Sequence, residues 1–213
     1  MIKMGSENIG IKVISFDFGG VLSDNRKAMQ ETNKRIFEIY KGDSNNRPKA
    51  TALTPVEFVN SNSITDGYQK LFPLYEKIFN ETIESGIVPM MYPGAEEVLD
   101  YLQKQGYKLV VLSSYPQKIL LKELERYKIS DFFGEVFGES RDKKGVLENI
   151  AAEYGLNPSE ILHVGDTVEE IRAAKVAGAK SAGICTGYHP KERLINENPD
   201  FVFDSLSDMI GVL

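Results

Sequence analysis

Short apolar runs that each stop on a polar residue recur along this chain, with helical patterns between them. "IKVISF" (11–16) stops at Asp17, "YKLVVLSS" (107–114) at Ser113, and "ILHVGD" (161–166) at Asp166. The segments between have helical periodicity. "GAEEVLDYLQKQG" puts Ala95, Val98, Leu99 and Leu102 on one face, between Pro93 and Gly106. "PQKILLKELERY" turns Leu120, Leu121, Leu124 and Tyr127 inward, and "KKGVLENIAAEYG" does the same with Val146, Leu147, Ile150, Ala151 and Tyr154 before stopping at Gly155. "EEIRAAKVAG" is a further helix, "KSAGIC" and "DFVFD" are further strands, and "LSDMIGVL" is a closing helix. Strands that are apolar throughout need cover on both faces, so the alternation predicts an α/β chain with a doubly wound parallel sheet between helices. Ligands in such sheets bind beyond the carboxyl ends of the strands. Asp17, Ser113 and Asp166, distant in sequence, are therefore expected to meet.

Residues 25–92 interrupt this rhythm. Two helical patterns, "RKAMQETNKRIFEIY" and "DGYQKLFPLYEKIFNETIE", flank a polar loop, "KGDSNNRPKATALTP", and no buried-type strand is present. The expected organisation is a sheet domain made of 1–24 and 93–213, with 25–92 inserted as a helical cap. Phe72, Leu74, Tyr75, Ile78 and Phe79 read as the core of the insertion. The loop from Lys41 to Pro55 is expected to be its most easily cut part.

Composition limits the remaining choices. The chain has 213 residues, 42% hydrophobic and 26% charged, with a net charge of -6. That balance argues against a nucleic-acid surface and against an anionic membrane as partner. No apolar run reaches the length of a membrane span, and the start, "MIKMGSENIG", reads as a short polar leader. The one cysteine, Cys185, permits no intrachain disulfide, which suits a reducing cytoplasm. The expected partner is a small molecule, bound by a monomer or homodimer.

Four segments in order resemble the motifs of the haloacid dehalogenase superfamily: "FDFGGVL", "VVLSS", "RDKKG" and "HVGDTVEEI". "MYPGAEEVLDYLQKQGYKLVVLSS" and "VAGAKSAGICTGYHPKERLINENPDFVFDSLSDM" are similar to its small-molecule phosphatases of the phosphoglycolate phosphatase type. The resemblance implies a Rossmann-like core with a helical cap placed after the first motif. It also implies Mg²⁺-dependent hydrolysis of a small phosphorylated metabolite through an aspartyl phosphate. Asp17 then stands as nucleophile, and Asp17, Asp166 and the main-chain carbonyl of Gly19 stand as metal ligands. Ser113, Ser114, Gly19, Gly20 and a lysine face the phosphate. The lysine is Lys143 or Lys144, and spacing and helix phase favour Lys143. Glu170, where the family often has Asp, is expected to brace that lysine or a metal-bound water.

The chemistry of the residues agrees with these roles. A strand-end carboxylate can attack phosphorus when a cation screens the approaching anions. A lysine can neutralise the resulting charge, and glycine turns bring backbone N–H groups close to an anion. One departure matters. Phosphatases of the family usually carry an Asp two residues after the nucleophile as general acid–base, and here that position is Gly19. The enzyme is then expected to favour good leaving groups, or to borrow acid–base help from Asp24, the cap or the substrate. A catalytically weakened phosphate- or metabolite-binding regulatory protein is the alternative. So is a dehalogenase, or a phosphonate hydrolase using a cap lysine among Lys27, Lys34, Lys41 and Lys49. His163 reads as a packed strand residue, and His189 as a loop residue rather than a zinc ligand.

Overall fold

A computed structural model describes residues 10–41, 53–64 and 67–213. The polar leader and most of the loop expected to be easily cut, including Lys49, lie outside the described residues. The chain divides into two compact units, Met1–Leu22 with Met91–Leu213, and Ser23–Met90.

The first unit is built on a six-stranded sheet. Its strands are β1 (Val13–Phe16), β4 (Lys108–Leu112), β5 (Phe133–Phe137), β6 (Ile161–Gly165), β7 (Lys180–Ile184) and β8 (Phe201–Phe203). They lie in the order β5-β4-β1-β6-β7-β8, and every pairing is parallel. The helices are α4 (Ala95–Lys104), α5 (Gln117–Tyr127), α6 (Lys143–Tyr154), α7 (Val168–Val176) and α8 (Lys191–Ile195). Residues of α6 and α7, including Leu147, Ile150, Ala151 and Ala174, pack on Val13, Val110, Leu112 and Ile161 of the sheet. Ile14 and Phe16 point the other way along β1 and are also fully buried, so both faces of the sheet are covered. From β1 the chain proceeds to β4 and β5 on one side, then returns to β6 on the other. The crevice of such a fold opens where this reversal occurs, at the carboxyl ends of β1 and its neighbours.

Two local expectations are corrected. Leu121 was expected to face inward but is 47% exposed. The buried stripe of α5 runs through Ile119, Leu120, Glu123, Leu124 and Tyr127, so the stripe widens toward Ile119 and not toward Leu121. "LSDMIGVL" forms only a 3₁₀ turn, Leu206–Met209, which ends before Gly211 at a φ of 79°. β5 was not expected, because Gly134 and Glu135 break its apolar run at the sheet edge. Nor was α8, whose "KERLI" buries only Leu194.

The second unit holds α1 (Arg26–Lys41), α2 (Pro55–Ser61) and α3 (Gly67–Glu84). A two-residue strand, β2 (Ser23–Asp24), pairs with β3 (Met90–Met91). Ile36, Phe37, Phe58, Val59, Ile64, Leu71, Tyr75 and Ile78 form its core. Phe79 is buried as well, while Leu74 is only partly buried. The helix α2 was not expected. Its start is fixed by a capping box, in which the Thr54 hydroxyl accepts from the Glu57 N–H and the Glu57 carboxylate accepts from the Thr54 N–H. Inside this core the Tyr75 hydroxyl donates to Asn33 Oδ1 at 3.0 Å, and Asn33 Nδ2 donates to the Leu53 carbonyl at 3.0 Å.

Candidate active site

Strand register brings the polar strand ends level. Phe16 is aligned with Val111 on one side and Val164 on the other. The Asp17 N–H continues the ladder to the Val164 carbonyl at 2.9 Å. Asp17, Ser113 and Asp166 therefore leave three adjacent strands within about a residue of one another. All three are buried.

Asp17 is followed by a turn rather than a helix. Gly20 takes a φ of 82°, a left-handed conformation that L residues rarely adopt. Gly19 is not among the residues with positive φ. A Cβ on Gly20 would lie 2.2 Å from Asp166 Oδ2, so the turn can pack against that carboxylate only as glycine. Phe18 goes into the core. Its ring meets Tyr115 edge-on at 5.2 Å and stacks on Tyr127 at 6.0 Å.

Ser113 directly follows β4, and its hydroxyl accepts from the Tyr115 N–H at 3.3 Å. Ser114 beside it is exposed. The Ser113 carbonyl accepts from the Ser140 N–H at 3.0 Å, and the Ser113 N–H donates to the Phe137 carbonyl at 2.8 Å. The turn after β4 is thus tied to the segment that leads into α6.

Lys143 is the first residue of α6, behind the N-cap Asp142, which accepts from the Gly145 N–H. Its ammonium lies 2.9 Å from Asp17 Oδ1 and also pairs with Glu170 Oε1. Lys144 points elsewhere and pairs with Glu148 on its own helix. Of the two lysines left open by the sequence, Lys143 is the one in this cluster.

Asp166 follows β6, and Glu170 lies in the first turn of α7 at 6% exposure. The Glu170 carboxylate accepts from the Asp166 N–H at 2.9 Å. Gly165 makes room for it, since a Cβ there would be 2.2 Å from Glu170 Oε2.

Burial dominates the electrostatics. It pushes the Asp17 carboxyl up to about 6, Glu170 adds to the rise, and Lys143 opposes it. Asp166 is pushed well above the usual carboxylate range by burial, then by Glu170 and Asp17, against the Tyr188 N–H and Lys143. Burial disfavours the Lys143 ammonium, but Asp17 and Glu170 outweigh it and hold the group above its ordinary value. Three buried carboxylates thus share one ammonium, and a further cation beside them would relieve the repulsion.

Oxygens of Asp17, Asp166 and Glu170 lie within 4.8 Å of one another. The donor set is all carboxylate oxygen, which suits a hard divalent cation such as Mg²⁺. Both Glu170 oxygens have protein partners, Lys143 and the Asp166 N–H, whereas Asp17 and Asp166 each have one oxygen so engaged, so these two could hold a cation more readily. The expected third ligand, the Gly19 carbonyl, lies in the turn that packs on Asp166.

Both histidines stand apart from metal binding. His163 is buried in β6, with Nδ1 3.1 Å from Ser15 Oγ. Burial first, then Lys143, push its pKa down to about 3, so it stays neutral. His189 Nδ1 accepts from the Val168 N–H at 3.0 Å. Asp24, one expected source of acid–base help, is held by the Arg26 guanidinium, with Nε and Nη2 at 2.8 and 2.7 Å from its two oxygens.

One part of the site was not foreseen. The loop after β7, "CTGYH" (185–189), wraps Asp166. The Tyr188 N–H donates to Asp166 Oδ2 at 2.7 Å, and the His189 N–H to the Asp166 carbonyl at 3.3 Å. A Cβ on Gly187 would come within 1.9 Å of Asp166 Oδ2. The sequence offers one signal, a Thr-Gly pair directly after a buried strand.

A parallel sheet with an acid at the end of β1, a serine at the end of β4, and a lysine and two acids converging from α6, β6 and α7 defines a hydrolase site. The chain belongs to the haloacid dehalogenase-like hydrolase family, whose model matches residues 14–184. It is 28% identical to a phosphoglycolate phosphatase of Vibrio parahaemolyticus, over 95% of this chain and 96% of that protein. It is 30% identical to a phosphoglycolate phosphatase of Salmonella typhimurium, over 66% of this chain and 57% of that one. A haloacid dehalogenase-like family hydrolase from Streptococcus pneumoniae superposes with a TM-score of 0.75, covering 95% of this chain and 98% of that chain at 18% identity, a likeness of fold.

Proposed function

We propose that this protein is a Mg²⁺-dependent phosphatase for a small phosphorylated metabolite. The observation that carries this reading is the Asp17 carboxylate at the end of β1, buried and faced by Lys143 at 2.9 Å. In this reading Asp17 attacks phosphorus as the P–O bond to the leaving oxygen breaks, and the departing alkoxide takes its proton from solvent or from the substrate because Gly19 offers none. Water then hydrolyses the aspartyl phosphate and regenerates Asp17. Lys143 neutralises charge on the nucleophile and the transferring group. Ser113 donates to a phosphate oxygen, joined by Ser114 and by backbone N–H groups of the Gly19–Gly20 turn. Glu170 keeps Lys143 and Asp166 in place. Asp17, Asp166 and the Gly19 carbonyl would hold Mg²⁺, which would supply charge neutralisation between two anions that must approach. The unit Ser23–Met90 is read as the cap that selects the substrate, and the single Cys185 suits a cytoplasmic location.

Relatives named phosphoglycolate phosphatase make 2-phosphoglycolate the first substrate to test. The assay is release of inorganic phosphate from a panel of phosphorylated metabolites with Mg²⁺, run beside Asp17→Asn. Turnover by the wild type and none by a folded Asp17→Asn protein supports the reading. Wild-type rates from Asp17→Asn would overturn it. Gly19 favours a second reading, a phosphate-binding protein with weakened turnover. Thermal stabilisation by phosphate with no turnover of any substrate would identify that case.

A further inference from the structure

The turn after Asp17 is held from outside its own strand. The Thr186 hydroxyl donates to the Gly20 carbonyl at 2.8 Å. Gly20 is buried, so without that donor its carbonyl would lose a partner inside the protein. Thr186 is itself held by the Tyr92 hydroxyl, which donates to the Thr186 carbonyl at 2.7 Å. The next residues of the same loop grip Asp166 through the Tyr188 and His189 N–H groups. One loop therefore touches both halves of the candidate metal site, the nucleophile turn through Thr186 and the second acid through residues 187–189. Gly20 and Gly187 both pack on Asp166 Oδ2 so closely that neither position has space for a Cβ.

We propose that Thr186 is a positioning residue: its bond to the Gly20 carbonyl sets the nucleophile turn against Asp166, so that Asp17, the Gly19 carbonyl and Asp166 converge on one cation. This rests on the metal site of the proposed function and adds to it the residue that assembles that site. Asp17 is held by the β1–β6 ladder, so rotation about the Gly20 backbone would turn chiefly the Gly19 carbonyl relative to Asp166. Fixing the Gly20 carbonyl removes that freedom. Groups that orient metal ligands typically change affinity or activity about 10- to 100-fold when removed.

The test is direct titration of the full-length protein with Mg²⁺ by calorimetry, together with phosphate release across Mg²⁺ concentrations. Thr186→Val removes the hydroxyl and keeps the shape. It should bind Mg²⁺ about 10- to 100-fold more weakly and should recover part of its turnover at high Mg²⁺. Thr186→Ser, which keeps the donor, should restore both. Tyr92→Phe should move Mg²⁺ affinity the same way by less, and it carries the test if Thr186→Val does not fold. Wild-type Mg²⁺ affinity in Thr186→Val, or in Tyr92→Phe when only that variant folds, would overturn the proposal. So would a Thr186→Ser protein as impaired as Thr186→Val, because the methyl packing would then matter and not the hydroxyl. Wild-type protein that binds Mg²⁺ without releasing phosphate would remove the phosphatase reading and leave the role of Thr186 readable in the titration. Wild-type protein that binds no Mg²⁺ would overturn both.

Discussion

The Lys143 ammonium lies 2.9 Å from Asp17 Oδ1, joining the start of α6 to the end of β1. Its neighbour Lys144 is spent on Glu148, one turn along the same helix. Two adjacent lysines of one motif thus differ by a helical step of about 100°, and only one faces the carboxylates.

This difference predicts opposite outcomes for one substitution. Lys143→Met should lower phosphate release by at least about 10²-fold, the scale found when one charge-stabilising donor is lost from a site. Lys144→Met should leave turnover unchanged, since an exposed helical pair contributes little. Steady-state kinetics on the two variants checks this, and equal losses would remove Lys143 from its assigned role.

Mg²⁺ should stabilise the fold as well as support turnover. Binding to the native state alone adds about 2.7 kcal/mol when the ion is at 100 times its Kd. Thermal melts should therefore shift upward with Mg²⁺ over EDTA, and Asp166→Ala should lose most of that shift. Phosphate release should vanish on chelation and return with Mg²⁺. Full activity after exhaustive chelation would reject the metal mechanism.

The turn also predicts what each of its glycines tolerates. Gly19 lacks the positive φ that makes a side chain costly, whereas Gly20 has it, at 82°. Gly19→Asp therefore meets no left-handed backbone penalty. It should raise turnover of alkyl phosphates more than that of aryl phosphates, by about 10² at the low end of general acid catalysis. An aryl leaving group hardly needs the proton that an alkoxide requires. Gly20→Ala should instead be destabilised, because its Cβ would meet Asp166 Oδ2 at 2.2 Å. Equal, small changes on both substrates by a folded Gly19→Asp protein would show that the proton comes from elsewhere. Asp24, ion-paired with Arg26, or a cap residue would then be the next group to test.

Most of the sheet was legible from local pattern, because apolar runs such as "VISF" and "KLVVL" can only be buried and their neighbours repeat at helical spacing. The polar residue closing each run then marked the sheet edge at which Asp17, Ser113 and Asp166 lie side by side. Elements with weak patterns were not legible. Strand β5 carries Gly134 and Glu135, and α8 has one buried residue. The helix α2 is started by a cap and a proline rather than by a long apolar stripe.

For the site, the sequence alone determined which groups are present: the strand-end acid Asp17, the glycines after it, Ser113, a lysine pair, and Asp166 with Glu170 one helical turn on. Each lies within a short motif whose chemistry can be read locally. Only the tertiary structure decided which lysine meets Asp17 and that Asp24 is tied to Arg26. It also decided that "CTGYH" clamps Asp166 while Thr186 holds Gly20. These depend on which strands lie side by side and on where each loop returns. A hydrogen bond between Thr186 and Gly20 has no period, spacing or composition to announce it, because the sheet order that puts β7 beside β6 and β6 beside β1 exists only once the chain has folded.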